Sequence, residues 1–118
     1  AVIWEADSHA KHKAIPEPLR LALELVGTRF TEPLTLEQLS DAAYVTPQHL
    51  VRLFRAHIGE TPMRYVWRIR TERGVQMLRQ TGISVAEAAH RVGFKNVYHF
   101  SRAVKERYGK SPMQLRKE

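Results

Sequence analysis

Apolar positions fall three and four apart along most of this chain, the period of helices buried on one face. Leu19, Leu23, Val26 and Phe30 form one such stripe behind Pro16-Glu17-Pro18, and Glu32-Pro33 ends it. Glu17 suits the positive end of a helix dipole. Thr35-Leu36-Glu37-Gln38 has the form of a capping box: the threonine hydroxyl accepts from the backbone N–H of residue 38 and the glutamine reaches back. Ser84-Val85-Ala86-Glu87 has the same form. Each opens a short helix, over 36–43 and 85–92, that must bury an apolar face to persist. A second helix follows each after a brief turn, over 47–58 behind Thr46-Pro47 and over 97–108 behind Asn96. Leu36, Leu39, Val45, Leu50, Leu53 and Phe54 would fill one core, and Phe94, Phe100, Val104 and Tyr108 another. Between them, residues 62–79 read as one longer helix with Met63, Val66, Trp67, Ile69, Val75 and Leu78 apolar and Gly74 as a close-packing point. Residues 1–14 are polar and unperiodic, a linker or cloning remnant.

The chain also repeats itself. Gly59-Glu60-Thr61-Pro62-Met63 returns as Gly109-Lys110-Ser111-Pro112-Met113, and His49-Leu50-Val51-Arg52 returns as His99-Phe100-Ser101-Arg102. The first echo is punctuation: a glycine stop, a cap, a first-turn proline and a Met to pack. The spacing from Ser84 to Gly109 is one residue longer than from Thr35 to Gly59. The extra residue belongs in the turn between the two helices, because turns absorb insertions that helices cannot.

Composition adds a sign. The net charge is +7 and the pI near 10.1. Residues 1–34 hold four basic and five acidic side chains, and residues 35–118 hold fifteen and seven. The positive field therefore belongs to the repeated region, as a polyanionic partner requires. With no cysteine, disulfides, thiolate nucleophiles and Cys-based zinc sites are excluded. Neither ligand spacing among the six histidines nor a nucleophile–base pair or phosphate loop is present, so no metal, cofactor or enzymatic activity is expected. No apolar run approaches a membrane span, and no signal-peptide pattern is present.

Two helices joined by a short turn describe a helix-turn-helix. In the second copy Ala88 and Ala89 are small enough for close crossing and Gly93 suits a turn; in the first, Ser40 and Tyr44 stand in those places. The run Ser84-Val85-Ala86-Glu87-Ala88-Ala89-His90-Arg91-Val92-Gly93-Phe94, with His99-Phe100-Ser101-Arg102-Ala103-Val104-Lys105 and Gly109-Lys110-Ser111-Pro112, resembles the signature of the AraC/XylS family DNA-binding domain, and the resemblance covers about 20–118. It implies an all-α fold of seven helices, with two helix-turn-helix subdomains joined by a central linker helix: 15–81 for the first with the central helix, 82–118 for the second. Tyr44 departs from a usual glycine, Gly74 from a usual alanine and Val104 from a usual phenylalanine. The resemblance further implies a bacterial transcription regulator, cytoplasmic and on the nucleoid when bound. Its domain would be monomeric alone, and an N-terminal effector or dimerisation domain would precede it in a full protein, although small stand-alone members exist.

Geometry points the same way. A central helix of about 18–20 residues spans roughly 27–30 Å, and successive major-groove faces lie about 34 Å apart. Helices 47–58 and 97–108 would then read adjacent grooves of double-stranded DNA. Helical spacing turns Leu50, Leu53 and Phe54 inward, and Phe100, Val104 and Tyr108 likewise. In the family, residues matching Gln48, Val51 and Arg52, and those matching Val97, Tyr98, His99, Ser101 and Arg102, lie at the DNA face; these are the candidate base contacts. Arg52 and Arg102 suit guanine, each with a phosphate contact as its alternative; Gln48 suits adenine and Val51 a thymine methyl. Thr46, His49, Arg55, Lys95, Asn96, Lys105 and Ser111 are the candidate backbone contacts. The competing function is a helical module that docks RNA polymerase and touches DNA weakly.

Overall fold

The computed structural model describes residues 15–118, so the segment read as a linker or remnant, 1–14, lies outside the described residues. Seven helices and no strand are found among the described residues: α1 Glu17–Arg29, α2 Leu36–Ala42, α3 Pro47–His57, α4 Pro62–Gln80, α5 Val85–Arg91, α6 Val97–Tyr108 and α7 Pro112–Lys117. The all-α, seven-helix expectation holds, and the ranges expected for α2 to α6 each agree to within one residue.

The chain divides into two compact units. The first holds α1 and Leu34–Arg64; the second holds Phe30–Pro33 and Tyr65–Glu118. This division falls inside α4, against the 81/82 boundary expected from the sequence, and most of that helix groups with the second unit. The reason is packing. Val75 and Leu78 of α4 are buried in one cluster with Ala88, Ala89, Val92, Phe94, Phe100, Val104 and Leu115, and Phe30 packs against it. Trp67 lies 4.9 Å from Phe94 between ring centroids.

In the first unit Leu19, Ala22 and Val26 of α1 are fully buried, with Leu39, Leu50 and Phe54. The α1 stripe is rotated from the one expected: Ala22 takes the buried place and Leu23 is half-buried. Phe30 falls outside α1 altogether. Ser40 is buried and donates its hydroxyl to the Glu37 carbonyl at 3.1 Å, which explains how a polar residue stands where the second copy has alanine. The box at Thr35 forms in full: Gln38 N–H donates to Thr35 Oγ1 at 3.1 Å, and Thr35 N–H to Gln38 Oε1 at 2.9 Å. At Ser84 only half forms. Glu87 N–H donates to Ser84 Oγ at 3.0 Å, but the Glu87 carboxylate accepts from Arg91 at 3.0 Å instead of turning back. A charged partner one turn on outcompetes a backbone amide.

The two inter-helix turns differ as expected, four residues between α2 and α3 and five between α5 and α6. Both demand a left-handed residue: Gly93 has φ +103°, and Tyr44, its counterpart, has φ +61°. Gly74 is the close-packing point. A Cβ there would lie 2.5 and 2.8 Å from Phe100 Cε1 and Cζ, and Phe100 is fully buried.

Arg70 organises the middle of the second unit. Only 4% exposed, it donates from Nε to the Phe30 carbonyl at 2.7 Å and from NH2 to the Glu32 carbonyl at 2.8 Å. Its guanidinium stacks on Trp67, 4.4 Å from the ring centre, and burial pushes its pKa down. A Cβ on Gly93 would come within 3.1 Å of Arg70 Nε, so space as well as backbone keeps glycine there.

Candidate nucleic-acid interface

Local chemistry explains how each outer face is presented. Thr46 Oγ1 accepts from the His49 N–H at 3.1 Å and Pro47 occupies the first turn, so α3 begins on a fixed residue. Leu50 and Phe54 turn fully inward. Gln48, Arg52 and Arg55 are thereby exposed, with His49 and Val51 half-buried beside them. On α6, Asn96 Oδ1 accepts from the Tyr98 N–H at 2.7 Å, and Phe100 and Val104 turn inward. Tyr98 is 71% exposed, and His99, Arg102 and Lys105 are exposed too.

Arg102, Lys105, Tyr98 and Ser101 converge with Ser111 on a groove of about 500 Å³ in the second unit. Val85, Pro112 and Met113 complete its walls. Sequence reasoning missed Val85 and Met113. Met113 was expected to pack; it is instead half exposed, because its short helix buries Pro112 and Leu115 and leaves the two residues between them outside. Its place in a repeated motif was the available signal. Val97 packs against the core, so it borders the open face rather than lying on it. Lys95 and Asn96 are exposed in the turn, and Thr46, Asn96 and Ser111 already accept backbone N–H groups as caps.

Carboxylates hold several of the cations away from these two faces. Arg20 pairs with Glu17 and Glu24, Arg68 and Arg107 with Glu72, Arg91 with Glu87, and Arg79 and Lys110 with Glu118. Arg52, Arg55, Lys95, Arg102 and Lys105 make no ion pair among the described residues. Carboxylates neutralise the helix flanks and leave the outer faces of α3 and α6 positive. Such faces can hold anionic oxygens and present guanidinium forks. No group of acidic or histidine side chains among the described residues could hold a metal, and no described helix is long and apolar enough to cross a membrane.

Comparison with known proteins agrees. Residues 39–118 match the family model described as a helix-turn-helix domain. The HTH-type transcriptional regulator CdhR of Pseudomonas aeruginosa is 37% identical over 100 residues, 82% of this chain and 30% of that protein. The HTH-type transcriptional regulator GlxA of Rhizobium meliloti is 34% identical over 111 residues, 93% of this chain and 34% of that protein. The chain thus spans about a third of the length of these relatives. Among solved structures, a transcriptional regulator of Chromobacterium violaceum described as AraC-type DNA-binding domain-containing superposes with TM-score 0.81 at 28% identity, covering 95% of this chain and 94% of that one.

Proposed function

Because the chain belongs to the AraC/XylS family of helix-turn-helix regulators, we propose that it binds double-stranded DNA by sequence, as the DNA-binding part of a transcription regulator. The observation that carries this reading is the set of exposed cations on the outer faces of α3 and α6, Arg52, Arg55, Arg102 and Lys105, none of them held by a carboxylate among the described residues. Each helix enters a major groove by its N-terminal turns. In the first unit Gln48, Val51 and Arg52 face base edges, with Thr46, His49 and Arg55 on phosphates. In the second Tyr98, His99, Ser101 and Arg102 face base edges, with Val97 against the groove wall, and Lys95, Asn96, Lys105 and Ser111 hold the backbone. Arg52 and Arg102 each discriminate a guanine by about 1–3 kcal/mol through paired bonds to O6 and N7.

Titration of the protein against a duplex selected from random sequence, and against random duplex, across salt concentrations tests this. Arg102→Ala lowers affinity for the selected duplex and narrows its advantage over random DNA. Lys105→Ala weakens both evenly and flattens the salt dependence by about one counterion. Absence of duplex binding at low salt overturns the reading and favours a protein-docking module.

A further inference from the structure

The interface described above leaves Tyr44 without a role. Its φ of +61° lies in the left-handed region that disfavours any residue with a Cβ. The ring is 87% exposed, so no packing compensates the strain. In the second unit the same turn holds Gly93, which both φ and the nearby Arg70 side chain require. A glycine at 44 would serve the fold better, yet the chain keeps a large aromatic with a hydroxyl donor. Strain held at an exposed residue points to a contact made with something outside the fold.

Position identifies the partner. Tyr44 stands two residues before Thr46, the cap of α3, and α3 carries exposed Gln48 and unpaired Arg52 and Arg55. A helix that enters the groove by its N-terminal turns brings the preceding turn against the phosphate wall. Resting on the reading of α3 as a recognition helix, we propose that Tyr44 is a DNA-backbone contact of the first unit. Its phenol O–H donates to a phosphate oxygen, a common tyrosine role at such interfaces. The first turn thereby trades backbone ease for a clamp that the second turn, crowded by Arg70, has no room to carry.

The test pairs stability with binding in Tyr44→Gly, Tyr44→Ala and Tyr44→Phe, using the selected duplex and random duplex, with the parent protein and Arg102→Ala alongside. Tyr44→Gly should raise Tm by about 4–8 °C through relief of the left-handed strain. It should also weaken both duplexes roughly tenfold or more, the loss of one hydrogen bond to a charged oxygen. Tyr44→Ala should lose the same affinity with no gain in Tm, and Tyr44→Phe should lose most of it, since the hydroxyl makes the bond. Glycine and alanine variants that bind both duplexes as tightly as the parent overturn the proposal and leave a protein as the ring's partner. If the parent itself binds no duplex while folded, the DNA reading fails as a whole, a result distinct from the first.

Discussion

A single hydrogen-to-methyl change at Gly74 sets two effects against each other. Alanine gains about 1 kcal/mol of helix propensity. Its Cβ would also sit 2.5 Å from Phe100 Cε1, and that ring is fully buried and held 5.3 Å from Phe94 between centroids. Forcing extra volume into a packed core costs about 1–3 kcal/mol, so packing wins and Gly74→Ala should destabilise by about 1 kcal/mol in urea unfolding. Combining it with Phe100→Leu should cost less than the sum of the single changes, because the smaller side chain vacates the contested space. Independent, additive effects would show that the ring is not the obstacle. The special role of Gly74 was legible because glycine inside a strong helical pattern wants a reason. The residue that supplies it was not, since nothing local joins positions 74 and 100.

At the scale of elements the chain announces itself well. Thr35, Thr46, Ser84, Asn96 and Ser111 all cap the helices they were expected to open. Caps and first-turn prolines act over three or four residues, so sequence alone exposes them. What escapes is competition among partners. The same four-residue pattern closes fully around Thr35, whereas Glu87 at Ser84 turns to Arg91. The consequence is measurable by denaturation. Thr35→Ala and Ser84→Ala should each cost about 1 kcal/mol. Glu87→Gln should cost only about 0.3–0.5 kcal/mol, the worth of an exposed i,i+4 pair. An effect of Glu87→Gln as large as that of Ser84→Ala would mean that its carboxylate serves the cap after all. The outer faces of α3 and α6 were legible for the same local reason: helical period decides what points out. Met113 was misplaced because its surroundings come from other helices.

For the whole molecule, the two copies share a frame but not a reading face. Gln48 and Val51 stand where the second copy has Tyr98 and Ser101. The bound site should therefore hold two unlike half-elements and no palindrome. Selection from random duplexes with Arg52→Ala and with Arg102→Ala should relax base preference at different positions, about half a site apart, each by roughly 1–3 kcal/mol. Relaxation at the same position in both variants would contradict a division of labour between the units.

The clasp between Arg70 and the carbonyls of Phe30 and Glu32 bears on inheritance. A repeat of this kind looks like two interchangeable cassettes. The second is not self-contained: it borrows residues 30–33 from the stretch ahead of the first, at a separation of 38 to 40 residues. A recombination that imported residues 82–118 alone would have to bring a glycine at 93 opposite Arg70 and a side chain at 100 that fits the space beside position 74. Exchange between relatives should succeed at the reading faces of α3 and α6, one side chain at a time, and fail when a repeat is transplanted whole.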